Sequence, residues 1–481
     1  MGNELIDKYA FEAVDLIRTK EVSSSELLKA SQERHLEVDE QVNALPYTFY
    51  DKALTKAKII NIDSERQNKK SLLGLPIAVK DYNDVAGVPT TFGSKIFSNN
   101  IPSKSDSTIA RLEQNGALPV AKSNVPEWAG GHTFNPVYGV TKNPFNNNKI
   151  AGGSSGGSSV ALATKQVWLA TGNDLGGSLR TPASFNNIVG LRPSIGVVPR
   201  GLRYNRFDPL WVEGPLARCV KDIGLMLDAM SGYCKTDPLS FDHTCSSFLE
   251  AADAFELPAK VAVTEDLGLV PVEQEVRRVF RTVVPNLKTI GCEVGSDIPD
   301  FNGAIESFHT LRGLLMAYML GDLYKSKKDE ILVDIVKNIE VGFEASNDEI
   351  ITAEKIRQDL FIKVDRFFEE YDFLICPTCS VLPFDIETPF VKEIDGVTCK
   401  TYIDWFAITF ALTLTSCPII SLPVGFSSHG LPVGIQIMSK PRQEDKLLAF
   451  AKVLEEKVSV TKIVLFRQCL DLYRKKRVSV I

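Results

Sequence analysis

AGGSSGGSSVALATKQVWLATGNDLGGSLRTPA, residues 151–183, decides the fold. A Gly-Ser turn runs into a helix at 160–163, an apolar run follows at 167–171, and a second Gly-rich turn closes the stretch at 172–183. Such turns expose backbone N–H groups around hydroxyls, here those of Ser154, Ser155 and Ser178. Working outward, the apolar run 75–79 ends at Lys80, and 118–121 forms another short strand. Asp106 is placed to cap a helix that stops near Asn115-Gly116, and Ser23 to Glu26 make a capping box for a helix reaching about His35. Strands alternating with helices predict an α/β fold with a largely parallel sheet. Ligands gather at the C-terminal ends of strands in such sheets. Lys80 and the second turn both follow apolar strands, so one shared rim is expected.

The middle of the chain reads as more helical, at 220–230, 272–287, 304–323 and 351–370, with strands at 260–264 and 373–376. Near the end, apolar runs at 419–424 and 433–438 flank Ser427-Ser428-His429-Gly430 as two strands joined by a turn, and 447–454 forms a last helix. A length of 481 residues suggests about three domains by size alone. The 32 glycines and 25 prolines are scattered, with no linker among them, so a single domain over 1–481 is expected. Its core lies at about 70–200 and a helical, pocket-shaping part at about 200–370.

A net charge of −6 argues against a nucleic-acid surface. The basic run Arg474-Lys475-Lys476-Arg477 reads as a solvated helix end. Nine irregularly spaced cysteines speak against a disulfide framework. The lone C-x-x-C at Cys376 and Cys379 reads as a strand end with two buried thiols rather than a metal or redox site. The N-terminus is charged early (Glu4, Asp7, Lys8) and lacks an apolar leader core, and Ile6 breaks the myristoylation pattern. From Trp405 to Ser439 there is no Asp, Glu, Lys or Arg, but Pro418 and Pro423 interrupt any spanning helix, which favours buried strands. A cytoplasmic protein without a membrane segment is expected.

Gly152-Gly153-Ser154-Ser155-Gly156 matches G-x-S-x-G, yet a nucleophile elbow needs a strand immediately before it, and residues 143–149 are a polar loop. None of the histidines 35, 132, 243, 309 and 429 stands where it would serve as a base. A phosphate loop is excluded because its lysine is missing, and neither Ser154 nor Ser178 has a lysine three residues on. Lys80 is the remaining base. A free lysine, with a pKa near ~10.4, is protonated and useless for that task, and burial lowers it by several units. The alternative is a lysine reaching solvent or paired with Asp81.

GLPIAVKD (74–81), GGSSGGS (152–158) and GNDLGGSLRTPA (172–183), with Ser154 and Ser178 24 residues apart, together resemble the amidase signature family. Pro126-Glu127-Trp128, Tyr138-Gly139, Asn143-Pro144, Val189-Gly190-Leu191-Arg192-Pro193, Pro377-Thr378 and the segment from Pro423 to Gln436 extend the resemblance over nearly the whole chain. It implies a large mixed, twisted β-sheet core covered by helices on both faces. It also implies Ser178 as nucleophile, Ser154 after a cis peptide bond as proton relay, and neutral Lys80 as base. The N–H groups of Leu175, Gly176, Gly177 and Ser178 would form the oxyanion hole, with Ser155 supporting the relay and Asp174 and Arg180 in structural roles. Trp128, Gly130, Gly131 and His132, with Thr378 and Trp405, would wall the substrate pocket.

No metal or organic cofactor is needed. The implied substrate is a small carboxamide or urea-like amide, and no nucleic-acid or membrane partner follows. A homodimer is expected only as the commonest assembly. The alternative is the glutaminase component of the glutamyl-tRNA(Gln) amidotransferase, with Arg357 resembling its arginine for the glutamine carboxylate. That component further carries an Asp and an Asn-Leu-Ala-Gly run before its late strand, where this chain has Trp405-Phe406-Ala407-Ile408-Thr409 and then Thr413 to Pro418.

Overall fold

The computed structural model describes residues 2–62, 71–200, 205–256 and 259–458. Eleven strands form one sheet: β1 (Tyr47–Thr48), β2 (Pro76–Lys80), β3 (Leu118–Ser123), β4 (Leu169–Asp174), β5 (Val189–Arg192), β6 (Val212–Ala217), β7 (Lys260–Val263), β8 (Glu293–Gly295), β9 (Phe373–Pro377), β10 (Ile419–Phe426) and β11 (Pro432–Met438). Their spatial order is β1-β3-β2-β4-β6-β5-β10-β11-β9-β7-β8. The helices used below are α1 (Ser24–Val42), α2 (Ser107–Gln114), α3 (Gly156–Ala163), α4 (Arg180–Phe185), α5 (Val220–Met230), α6 (Ala304–Lys327), α7 (Val333–Glu344), α8 (Asn347–Phe367), α9 (Ala407–Thr413) and α10 (Glu444–Lys457). Helix α3 packs on β2, β3, β4 and β6, α4 on β5, β10 and β11, and α10 on β10 and β11.

The sheet is mixed, which corrects the expectation of largely parallel strands. Only β2–β3, β2–β4, β7–β8 and β7–β9 run parallel. The whole centre from β4 through β6, β5, β10 and β11 to β9 is antiparallel. The physical reason is burial. Strands β4, β5, β6, β9 and β11 are buried along their full length. A strand covered on both faces lacks the apolar/polar alternation of a half-exposed one, so its sequence carries no mark of its direction.

Local signals act only in part as read. Ser23 and Glu26 form the reciprocal capping box of α1, and with no breaker at His35 the helix runs on to Asn43, which closes it in a left-handed conformation. Asp106 precedes α2, but its carboxylate accepts from the Asp84 N–H instead of capping. The helix expected over 272–287 is two helices, Gln274–Phe280 and Val283–Thr289. Pro285 lacks the N–H that would bond back to Arg281 and carry the helix through. The charge-free stretch from Trp405 to Ser439 becomes α9, β10 and β11, and no helix among the described residues is long and apolar enough to cross a membrane. Cys376 and Cys379 are free, buried thiols at the end of β9, each pushed up to about 12 by burial. No metal-holding cluster occurs among the described residues. The basic run at 474–477 lies outside them.

Candidate active site

Strands β2 and β4 are parallel neighbours, with Ile77 opposite Leu169 and Ala78 opposite Ala170. Their C-terminal ends therefore share a rim, and this register brings Lys80 beside the second Gly-rich turn. Lys80 is fully buried. Its Nζ lies 2.7 Å from Ser154 Oγ, 2.9 Å from Ser155 Oγ and 2.6 Å from Asn173 Oδ1. The pairing of Lys80 with Asp81 does not occur. Asp81 faces Lys122 of β3 at 3.5 Å and accepts from Thr91. Burial pushes the Lys80 ammonium down to about 7, against the opposing pull of the Glu213 and Asp174 charges. Glu213 sits on β6 directly across from Asn173, and burial pushes its carboxyl up to about 7. It accepts from Trp211 Nε1 and Asn83 Nδ2, each at 3.2 Å.

The first serine turn leads into α3. The Gly153–Ser154 peptide bond is cis. Thr133 pins the turn by donating to the Gly152 carbonyl at 2.8 Å and accepting from the Gly156 N–H at 3.1 Å. No room exists for a side chain at 153, because a Cβ there would collide with the Gly131 carbonyl oxygen.

The second turn is held by one carboxylate. Asp174 accepts from the N–H groups of Gly177 (2.9 Å) and Leu179 (3.1 Å), from Arg180 through two nitrogens at 3.1 Å, and from Arg192 at 3.1 Å. Burial alone would raise this carboxyl, but the two guanidinium charges outweigh it and hold Asp174 well below the usual carboxylate range. Arg180 reaches on to the Thr409 carbonyl and Gln436 Oε1, both at 2.8 Å, and to Thr413 Oγ1 at 2.9 Å. Helix α9 and strand β11 thus brace the turn. Gly177 N–H is committed to Asp174, so the set of open donors differs from the expected one. The N–H groups of Leu175, Gly176 and Ser178 have no protein acceptor among the described residues. Ser178 is half-buried, and its hydroxyl makes no hydrogen bond to another described residue.

Gly177 has φ +121°, and a Cβ on it would strike the Thr409 side chain, with Thr409 Cβ at 2.7 Å. Gly177→Ala is therefore expected to destabilise the protein by about 1–3 kcal/mol. It should also lower kcat/KM by on the order of 100-fold, since ångström-scale displacement of aimed groups has that effect. Denaturation midpoints and turnover measured together check this; a variant with both unchanged removes the steric argument.

Leu175, Gly176, Gly177 and Ser178 line a recess, together with Gly131 and Gly153. Phe308 and Arg312 of α6, with Trp405 and Phe406, also line it. Of the expected pocket residues, Gly131 and Trp405 line this recess. Trp128 does not. Its indole instead stacks on Phe92 with centroids 4.8 Å apart and meets Phe97 edge-on at 5.3 Å. Gly130 is turned toward Ile335 of α7, where its missing Cβ makes space. The His132 ring meets Phe384 edge-on, and burial pushes it down to about 4. Thr378 hydrogen-bonds Ser421 within the sheet. Arg357 is paired with Glu354 along α8 and does not line the recess.

Asn173, Glu213, Thr133, Arg192, Gln436 and Arg312 were not singled out from the sequence. Two carried a usable signal. Glu213 is the one charged residue in LWVEGPLA (210–217), and Arg312 the one between Glu306 and Asp322 on α6. A lone charge in an apolar run is the informative exception to ordinary burial.

Residues 26–448 match the family model described as amidase. An acylamidase from Rhodococcus erythropolis is 30% identical over 455 residues, spanning 93% of this chain and 94% of its own. The A component of a glutamyl-tRNA(Gln) amidotransferase, from Thermodesulfovibrio yellowstonii, is 30% identical over 479 residues, spanning 92% of this chain and 96% of its own. Among solved structures, a bacterial aryl acylamidase of the amidase signature enzymes superposes with a TM-score of 0.88 at 26% identity, covering 97% of this chain and 98% of that one. A 6-aminohexanoate cyclic dimer hydrolase complexed with substrate gives 0.86 at 25%, covering 96% and 100%.

Proposed function

Because the chain belongs to the amidase signature family, whose members hydrolyse amide C–N bonds, we propose that it is a stand-alone amidase of the acylamidase kind acting through a Ser178 acyl-enzyme. The observation that carries this is the fully buried Lys80 Nζ 2.7 Å from Ser154 Oγ. A neutral lysine has two N–H donors and one lone pair. Asn173 Oδ1 only accepts, so it takes one donor, and Ser155 Oγ takes the other. The lone pair is left for the Ser154 proton.

Ser178 Oγ bonds to the amide carbon and passes its proton to Ser154 as Ser154 gives its own to Lys80. The carbonyl oxygen takes the negative charge, facing the open N–H groups of Leu175, Gly176 and Ser178. As the C–N bond breaks, the proton returns from Lys80 through Ser154 to the leaving nitrogen. Water then attacks the acyl ester by the same path, releasing the acid and restoring Ser178. Catalytic hydrogen bonds commonly close only once substrate is seated, which accommodates the open Ser178 hydroxyl.

Two observations favour the stand-alone reading over the glutaminase component. Among the described residues no acidic side chain lines the recess to receive the ammonium of glutamine, and Arg357 lies elsewhere. The test is release of amine or ammonia from a panel of amides, glutamine included, by the purified chain alone. Turnover of simple acylamides is the expected result. Glutaminase activity appearing only with partner proteins overturns it.

Lys80 acts only when neutral, so kcat/KM should rise with pH through about 7 and level off above it. The negative charge of Glu213 favours the protonated lysine. Glu213→Gln is expected to move the acid limb to lower pH, read from kcat/KM profiles of both proteins. Lys80→Ala should lower acylation by about 10²–10⁴-fold. A wild-type profile flat down to pH 5 contradicts a titrating lysine.

A further inference from the structure

Arg312 is 4% exposed and lines the same recess as the Ser178 turn. Its guanidinium is held on one edge, where Nη2 donates to the Tyr402 hydroxyl at 2.9 Å. That hydroxyl also accepts from Asn338 Nδ2 at 2.8 Å, so Tyr402 is anchored to α7. On the other edge, the buried Nη1 has no hydrogen-bond partner among the described residues. No carboxylate among them pairs with Arg312. Asp404, on the same loop as Tyr402, gives its oxygens to His309 Nε2 at 3.2 Å and to the N–H groups of Lys400 and Thr401 at 2.7 and 2.9 Å. Arginine stays charged at all working pH values. A buried charge without a counter-ion, and with one edge unpartnered, is strongly unfavourable, so a recess that keeps one is built for a ligand that supplies the anion.

We infer that Arg312 is a specificity-determining residue that receives a carboxylate on the substrate, so that the preferred amides are carboxylate-bearing ones. The inference rests on the amidase reading above and narrows its substrate class. Phe308, Trp405 and Phe406 line the same recess, which calls for an apolar spacer between the amide and the carboxylate. An amino group beside that carboxylate finds no acidic partner among the described residues of the recess, so the class excludes free α-amino acids such as glutamine. The carboxylate has two sources: the acyl part, as in dicarboxylic acid monoamides, or the amine part, as in N-acyl amino acids.

The test uses binding, which needs no turnover. In the Ser178→Ala protein, where the amide stays intact, titration calorimetry compares glutaramic acid with neutral 5-methylhexanamide, and N-acetyl-4-aminobutyrate with N-(4-methylpentyl)acetamide. At least one carboxylate is expected to bind about 10- to 100-fold more tightly than its isostere, the range of one charged hydrogen bond. Which pair shows the gap tells the acyl source from the amine source. Adding Arg312→Met should bring the ratio to near one, and Arg312→Lys, which keeps the charge and loses the planar fork, should retain part of it. Absence of a gap in both pairs overturns the inference, as does a gap that survives Arg312→Met or, if that protein does not fold, a gap untouched by Arg312→Lys. Turnover by the unsubstituted chain is scored separately: binding selectivity without hydrolysis of any amide counts against the amidase reading and leaves the carboxylate site standing.

Discussion

Ser178→Ala is expected to lower kcat/KM for amides by on the order of 10⁵–10⁶-fold, the scale on which loss of a serine nucleophile is felt in other hydrolases. Thermal stability should hardly change, because the Ser178 hydroxyl makes no hydrogen bond to another described residue and its removal leaves no buried partner stranded. Ser154→Ala is different in kind. It removes a hydrogen-bond partner of Lys80 in a fully buried site, so both rate and stability should fall. A sulfonyl fluoride reagent separates the roles further. The modified peptide should contain Ser178, and modification confined to the Ser154 peptide would exchange nucleophile and relay.

The largest effect on stability is expected from Asp174→Ala. The substitution leaves the buried guanidinium groups of Arg180 and Arg192, and the N–H groups of Gly177 and Leu179, without their carboxylate. Removing one partner of a buried ion pair costs about 3–5 kcal/mol. The loss should appear as a lower denaturation midpoint and a poor soluble yield, with Asp174→Asn less severe because it keeps the shape and one acceptor. The sign with pH is fixed by the depressed native pKa. The stabilisation is fully present above the ordinary carboxylate range and fades only as pH falls through the native value. Acid loss of activity near pH 7 therefore reports Lys80 and Glu213, not the bracing of the turn. An Asp174→Ala protein as stable as its parent refutes this account of the turn.

How much of this was legible before the structure differs from element to element. The run ending at Lys80 and the helix leaving the first turn follow directly from apolar runs and Gly-Ser boundaries. The meeting of Lys80 with the serines rests on strand register, which no local pattern encodes; the resemblance of three separated motifs supplied it. Asn173 and Asp174 are adjacent in one short motif, yet side chains alternate along a strand. One therefore faces Lys80 and the other faces Arg180, and their separate tasks emerge only once the faces are known. Trp128 and His132 stand near a serine turn in sequence without lining the recess: the indole instead stacks on Phe92 and the imidazole meets Phe384. Arg312 lies in the weakly patterned middle, where α6 packs against α7, α8 and α9 and so shows no single apolar face.

The reach of Arg180 across 256 positions to Gln436 has a consequence for when the enzyme comes into being. At ordinary elongation speeds of ~5–20 residues per second, roughly 10 to 50 s separate synthesis of these two residues. Throughout that interval the emerging polypeptide already holds Lys80, Ser154 and Ser178 but not the struts from Thr409, Thr413 and Gln436. On the proposed mechanism, amide hydrolysis by a nascent chain is expected only once the last strands of the sheet have docked and braced the Ser178 turn.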